Sequence, residues 1–422
     1  MKEKYSSIRG TSDFDVPESS LFSSISQKAR DLFKVFNYEE LILPLLEEKG
    51  LFIKGIGETT DIVERQMFKI EGKDIVLRPE GTAQVVRYYL QNSLYHKSNF
   101  HKFFYIGPMF RGERPQKGRL RQFHHIGAEA IGSNSFYIDA EIIYLSLQIL
   151  DAIGVKNREL KINNLGCEAD KNKFSKLLKE EFPKHKTYLC EDCCRRLNIN
   201  PLRVLDCKKE GCRKTVNGFI AQTGGPHVHL CDACRYHFKD LTALLDDLKI
   251  KYSIDFSLVR GLDYYTNTVF EITSSKLGSQ DAIGAGGRYN NLIKSLGGPD
   301  IQATGFALGI ERILITLGDS TEEQKLDLFI AVTDSSLLKE GFNILMKLRK
   351  ENISCDYDYC GRSLKSQLRF AQKKEAKFVA IIDEREMKNG SLLLKDMQKS
   401  TQEVIKLKDL ATVIKDRIIR KE

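Results

Sequence analysis

Tryptophan is absent from the 422 residues, proline occurs 9 times and methionine 6 times. No apolar run approaches the roughly 20 residues a bilayer-spanning helix requires, which excludes a helical membrane protein. Glycine, at 30 residues, is far too sparse for a collagen-like chain. The opening MKEKYSSIRGTSDF carries lysines but no apolar core, so a secretory signal is not expected. A chain that stays in the cytoplasm keeps its ten cysteines reduced, as free thiols or metal ligands and not as a disulfide framework.

What is present is globular. The chain is 41% hydrophobic, 29% charged and 9% aromatic, enough apolar mass for real cores and for two or three domains. The net charge of +9 suits a polyanionic partner. From Lys325 to Glu422 there are 21 basic and 15 acidic residues, so most of the excess lies in the last quarter.

Leu21, Ile25, Ala29, Leu32 and Phe36 recur at helical spacing after Pro17. Strands are expected at 41–45, 102–107, 123–131, 252–259 and 266–272, with a helix at 82–91 and another capped by Asp139. The stretch 160–250 is different, with Cys-rich loops and a closing helix near 238–249. Uneven spacing of the front strands predicts an α+β domain built on an antiparallel sheet. After the polar GDSTEEQK, strands and helices alternate, as in a βαβ unit with a mixed or parallel sheet.

In the strand FHHIGAEAI, Ile126, Ala128 and Ala130 share one face, while His125, Gly127 and Glu129 share the other. The second face reads either as a solvated surface or as a carboxylate and an imidazole beside an open space. Upstream, FRGERPQKGRLRQF crowds Arg111, Arg114, Lys117, Arg119 and Arg121 around Gly112 and Gly118. Arginine forks match phosphate oxygens, so this loop favours a phosphate-containing substrate over a merely basic surface. RPEGTA places Glu80 and Thr82 at a helix start, where capping is almost as good an explanation as ligand binding. Arg260 in VRGLDYYTNTVFE needs an anionic partner if buried. GFALGIER spaces Gly305 and Gly309 one turn apart, with Arg312 close behind.

Together these segments resemble the class II aminoacyl-tRNA synthetases, and specifically the histidyl-tRNA synthetase family. FRGERPQKGRLRQF resembles motif 2 and GFALGIER motif 3, while RGTSDF, LRPEGTA and VRGLDYYTNTVFE resemble the histidine-specific segments. The likeness extends over nearly the whole chain. It implies a discontinuous catalytic domain at 1–161 and 251–322, a helical, Cys-rich insertion at 162–250 and a C-terminal α/β anticodon-binding domain at 326–422. It also implies a cytoplasmic homodimer, with Pro44 to Gly57 resembling the dimer region, that ligates L-histidine to tRNA(His) using ATP and Mg²⁺.

By the same resemblance, Arg111 and Arg260 act at the reacting α-phosphate and Glu113 orients adenine. Arg119 stands near the phosphate tail and Arg312 at the γ-phosphate. Glu80, Gly81, Thr82, His125, Glu129, Tyr264, Tyr265 and Tyr289 would surround the bound histidine. His125 departs from the family pattern, which commonly has glutamine there. A non-catalytic histidine-binding regulator of ATP phosphoribosyltransferase is the rival reading, against which the retained arginines and the basic tail stand. A synthetase for another amino acid, such as proline, is disfavoured by RGLDYYTNTVFE.

Two resemblances mislead. His125-Ile126-Gly127-Ala128 mimics a class I motif but lies inside an alternating strand, and GAGGRY looks like a nucleotide loop without the Walker lysine or Rossmann spacing. The cysteines form three close pairs, Cys190/Cys193, Cys207/Cys212 and Cys231/Cys234, with Cys194, His227 and His229 as further donors. They read as a tetrahedral Zn²⁺ site or as reduced thiols on a helical insertion. Two pairs would fill one site, and spacing does not choose between them.

Overall fold

A computed structural model describes residues 5–58, 60–278, 280–318 and 326–419. Of the polar GDSTEEQK stretch, residues 319–325 lie outside the described residues, as does the expected domain end at 322. The chain divides into two compact units, Met1–Thr321 and Glu322–Glu422. No helix among the described residues is long and apolar enough to cross a membrane.

In the first unit, α1 (Glu18–Val35) buries Ile25 and Ala29 as its periodicity announces, and Phe33 in addition, while Leu21, Leu32 and Phe36 pack half-buried against the same core. Strand β1 (Glu39–Glu40), helix α2 (Thr82–Gln91), and strands β2 (His101–Phe110) and β3 (Gln122–Ile131) follow. After α3 (Phe136–Ile153), strand β4 (Glu159–Asn164) leads into α4 (Glu168–Glu181), α5 (Glu191–Ile199), α6 (Glu210–Thr223) and α7 (Asp232–Asp247). The chain then returns through β5 (Ser253–Ile254), β6 (Thr266–Thr273), β7 (Ala282–Arg288), β8 (Ala303–Gly309) and α8 (Ile310–Leu317). The eight strands form one sheet in the order β1-β2-β3-β8-β7-β6-β4-β5. Every internal pairing is antiparallel, and only the two short edge strands run parallel to their neighbours.

Strand alternation decides the two faces. Ile126, Ala128, Phe104, Phe306, Leu308 and Phe270 pack with α1, α3 and α8 into one core. The opposite face carries Phe103, Tyr105 and Val269 toward α2 and the helical insertion.

Several local expectations change. The segment 41–45 is not a strand; the chain instead pairs Leu46–Glu48 with Ile75–Leu77 in a small separate sheet. Of 252–259 only Ser253–Ile254 is strand. GAGGRY is not a loop, because Gly284, Gly286 and Arg288 lie within β7 in the middle of the sheet. Asp139 does not cap α3. Ser135 does, its Oγ accepting the Tyr137 N–H at 3.3 Å, while Asp139 is buried and accepts from Arg288 Nε at 2.8 Å. The expected insertion boundary at 162 falls inside β4, whose pairing with β6 continues to Asn164.

The second unit has a five-stranded sheet formed by β9 (Leu328–Val332), β10 (Cys355–Tyr357), β11 (Phe378–Ile382), β12 (Ser391–Asp396) and β13 (Gln402–Lys406), in the order β10-β9-β11-β12-β13. Strand β9 pairs parallel with both neighbours, and β11-β12-β13 are antiparallel. The run Leu328 to Ala331 is fully buried because helices cover both faces. Leu328 and Ile330 pack with α9 (Leu338–Lys350) and the following helix α11, which spans Leu410–Ile419, whereas Phe329 and Ala331 pack with α10 (Leu364–Lys373). The mixed sheet is as expected. Its terminal antiparallel hairpin was not.

Candidate active site

A cavity of about 630 Å³ opens on the polar face of the large sheet. Ala285 on β7 lies opposite Ala307 on β8, and Gly309 lies opposite His125 on β3. These small residues leave the sheet nearly bare and so create the space. The wall comes from the β2–β3 loop, the start of α2, the loop before β6, the start of α8, and the insertion.

Four of the expected arginines reach this cavity. Arg111 stacks 5.1 Å from the Phe123 ring centre and donates to the Pro79 carbonyl at 2.9 Å. Arg119 donates to Glu113 at 2.9 Å and to Gln280 Oε1 at 2.7 Å. Arg312 donates to the carbonyls of Gly118, Gln280 and Ala282. Arg260 stands in the loop before β6, not in a strand, and pairs with Glu271. Burial first, then the neighbouring Arg119, brings Arg312 down to about 10, against the opposing pull of the Glu113 and Glu271 carboxylates. Arg114, Lys117 and Arg121 do not line the cavity, and Arg121 instead ties the loop back to the Arg9 carbonyl. RGTSDF therefore braces the loop, with Gly10 O accepting the Arg121 N–H at 2.6 Å.

The amino-acid side of the site is organised around Glu129. Its Oε1 accepts from Thr82 Oγ1 at 2.7 Å and Tyr105 OH at 3.4 Å, and its Oε2 accepts from Tyr289 OH at 2.6 Å. Gly305 makes this possible, because a Cβ there would stand 1.9 Å from Glu129 Oε2. Burial pushes the Glu129 carboxyl up to about 8, against the hydrogen bonds from Tyr289 and Thr82. Thr82, Tyr105, Tyr264, Tyr265 and His125 line the cavity, while Glu129 and Tyr289 stand immediately behind the lining.

Glu80 also lines the cavity, but both its oxygens are committed to the backbone N–H groups of Thr82 and Ala83, at 2.6 and 2.9 Å. It caps α2. Gly81 leaves room for the Tyr105 ring, which a Cβ at that position would meet at 2.3 Å. Burial, reinforced by the Arg111 and Arg78 charges, holds the His125 imidazole well below its ordinary pKa. The ring is therefore neutral at pH 7.

Tyr105, Glu271, Gln280 and Glu311 belong to the site and were not anticipated. Glu271 lies within the quoted VRGLDYYTNTVFE, and strand alternation from Val269 could have found it. Tyr105 faces the glycines at 81 and 127, a pairing that only the folded sheet reveals. Glu311 accepts from the His124 N–H and ring, the latter at 2.8 Å.

Cys190 and Cys207 also reach the cavity wall, and their thiols belong to a four-cysteine cluster with Cys193 and Cys212. Cys190 and Cys207 Sγ are 3.9 Å apart, close to the ~3.8 Å edge of a tetrahedron with 2.3 Å Zn–S bonds. The first two sequence pairs thus converge. Cys231 and Cys234 do not join them, but stand with Cys167 and Asp170. Cys194, His227 and His229 belong to neither group.

An antiparallel sheet that carries arginines from a β-hairpin loop and from the helix after its last strand into one cavity has the class II aminoacyl-tRNA synthetase fold. Residues 10–170 and 219–313 match the family model for histidyl-tRNA synthetase, and residues 327–417 match that for an anticodon binding domain. The chain belongs to the histidyl-tRNA synthetase family. It is 44% identical over 411 residues to the histidine–tRNA ligase of Halothermothrix orenii, covering 95% of this chain and 97% of that one. The Aquifex aeolicus histidine–tRNA ligase is 43% identical over 409 residues, covering 96% and 99%. The crystal structure of apo Staphylococcus aureus histidyl-tRNA synthetase superposes with a TM-score of 0.79 at 32% identity, covering 97% of this chain and all of that one.

Proposed function

We propose that the chain ligates L-histidine to tRNA(His) through a histidyl-adenylate, releasing AMP and pyrophosphate. The observation that carries this reading is the convergence of Arg111, Arg119, Arg260 and Arg312 on one cavity backed by Glu129. A histidine carboxylate oxygen attacks the α-phosphorus, the bond to the pyrophosphate oxygen breaks, and pyrophosphate leaves. Arg111 and Arg260 are placed to hold the negative charge that redistributes around that phosphorus. Arg312 and Arg119 suit the outer phosphates, and Glu113 suits the adenine edge. The tRNA's terminal ribose hydroxyl then attacks the adenylate carbonyl and AMP departs.

Histidine would sit among Thr82, His125, Tyr264 and Tyr265, its ring directed at Glu129. Among the described residues, Glu129 Oε2 accepts only from Tyr289, which leaves it a lone pair for the ring N–H. Glu80 and Gly81 act from behind, by fixing α2 and Tyr105. A neutral His125 can accept or donate one hydrogen bond without opposing the arginines. Mg²⁺ would arrive with ATP, and Glu271 and Glu311 offer the hard oxygen ligands it prefers. When bound it would supply positive charge to the pyrophosphate leaving group. The Cys190, Cys193, Cys207 and Cys212 thiols suit one structural zinc.

The stretches on either side of the insertion, the first carried on to the end of β4 at Asn164, serve catalysis, while the insertion up to 250 and the domain at 326–422 serve as a helical module and for anticodon binding. The protein acts in the cytoplasm, and as a homodimer, the latter supported by the exposed apolar surface of Ile42 (94%), just before the Pro44–Gly57 segment, and of Leu45 (42%) and Leu46 (51%) within it. Histidine-dependent exchange of pyrophosphate into ATP, followed by charging of tRNA(His), tests the whole reading. Histidine binding without exchange would favour the regulatory alternative, and exchange with another amino acid alone would overturn the specificity.

A further inference from the structure

The third cysteine pair has found different partners. Cys167, Asp170, Cys231 and Cys234 present one ligand atom each within 4.8 Å of one another. Cys167 and Cys231 are the residues immediately before α4 and α7, and Asp170 and Cys234 lie in the first turns of those helices. Two helix N-termini therefore meet head to head, with their partial positive charges directed at the same point and favouring anionic ligands there. In the Cys190, Cys193, Cys207 and Cys212 cluster the start of α5 is used in the same way, while Cys207 lies three residues ahead of α6 and Cys212 in its first turn.

Asp170 supplies the observation that points to a cation. The residue is 1% exposed and neither carboxylate oxygen meets a partner at ordinary hydrogen-bond geometry; what faces them is the Cys231 N–H and the Cys167, Cys231 and Cys234 thiols, with no cation among them. A buried carboxylate in that state is costly unless something positive faces it. Its three side-chain neighbours are thiols, which become strong ligands only by losing their protons. The cluster is also braced from outside. Asn267 Nδ2, on β6, donates to Cys234 Sγ at 3.2 Å, and Asn164 Nδ2, at the end of β4, donates to the Cys234 carbonyl at 3.1 Å. Such outer bonds to ligand groups accompany metal centres. Gly166 has φ +75° and room for nothing larger, since a Cβ there would stand 2.4 Å from Asp170 Cβ.

We infer that Cys167, Asp170, Cys231 and Cys234 form a second zinc site, of three thiolates and one carboxylate, at the base of the insertion. Its position gives it a purpose. Cys167 stands where the chain leaves β4, and Cys231 opens the helix that brings it back to β5. One ion bound to both ends clasps the insertion to the catalytic sheet. Soft thiolates with a single carboxylate in a compact tetrahedral set select zinc over calcium or magnesium.

The test is metal analysis of the full chain purified without chelator, and it is independent of aminoacylation, so its failure would leave the proposed function standing. Two zinc ions per chain are expected, falling to one in Cys231→Ser/Cys234→Ser and to one in Cys190→Ser/Cys193→Ser. Replacing zinc with Co²⁺ should give thiolate-to-cobalt charge transfer from seven Co–S bonds. Asp170→Cys keeps two metals and raises that absorbance by about one part in seven, because an eighth thiolate joins. One zinc per chain that survives Cys231→Ser/Cys234→Ser would overturn the proposal. So would Asp170→Cys leaving the cobalt spectrum unchanged, iron in place of zinc, or a Cys231–Cys234 disulfide in the native protein.

Discussion

Glu129 is a fully buried carboxyl held by three hydroxyl groups. Its folded pKa of about 8 lies above the ordinary 4.5, so between those values the native state holds a proton that the unfolded chain has released. Stability from this group is complete below about pH 4.5 and declines as pH rises through 8. Glu129→Gln should remove that decline, seen as urea midpoints at pH 5.5 and pH 8 that differ less in the variant than in the parent. A different outcome is expected of Arg260. Its partner Glu271 holds it at the cavity wall, so Arg260→Ala should leave histidine binding largely intact and slow pyrophosphate exchange roughly a hundredfold or more. Binding by calorimetry and exchange kinetics, measured on the same preparation, separate the two effects.

At the scale of elements, strand β8 makes a sharper point, because Gly305 and Ala307 share one face two residues apart. Gly305→Ala would push a methyl into Glu129 Oε2 and the Ala128 carbonyl, at 1.9 and 2.5 Å, and should destabilise by about 2–3 kcal/mol. Ala307→Leu instead projects into the cavity and should lower exchange by about tenfold or more, with a melting temperature within ~3 °C of the parent. The helices and strands themselves were largely legible, since α1 and β3 announce their core faces by spacing and β9 is an unbroken apolar run. Three things were hidden for physical reasons. β7 is rich in glycine because neighbouring backbones crowd it, and from sequence that composition looks like a loop. Asp139 resembles a cap until Arg288, 149 residues away, claims it. Asp170 forms no cysteine pair, so nothing in the spacing singles it out.

At the scale of the whole molecule, catalysis and nucleic-acid recognition fall to different stretches of chain. All cavity residues lie between Ile62 and Arg312, while the anticodon-binding match begins at residue 327. Deleting residues 326–422 should therefore preserve histidine-dependent exchange within about threefold while abolishing charging of tRNA. Loss of both activities together would show that the first unit depends on the second for its chemistry. The basic excess after Lys325 makes charging salt-sensitive, so raising ionic strength should weaken tRNA binding more than ATP binding.

Ala285, Ala307 and Gly309 pave the basin almost at the level of the main chain. A hollow of that kind is already as deep as a pleated sheet permits. Mutation on those strands can make it shallower, and drift toward a bulkier substrate would have to come by moving the walls outward.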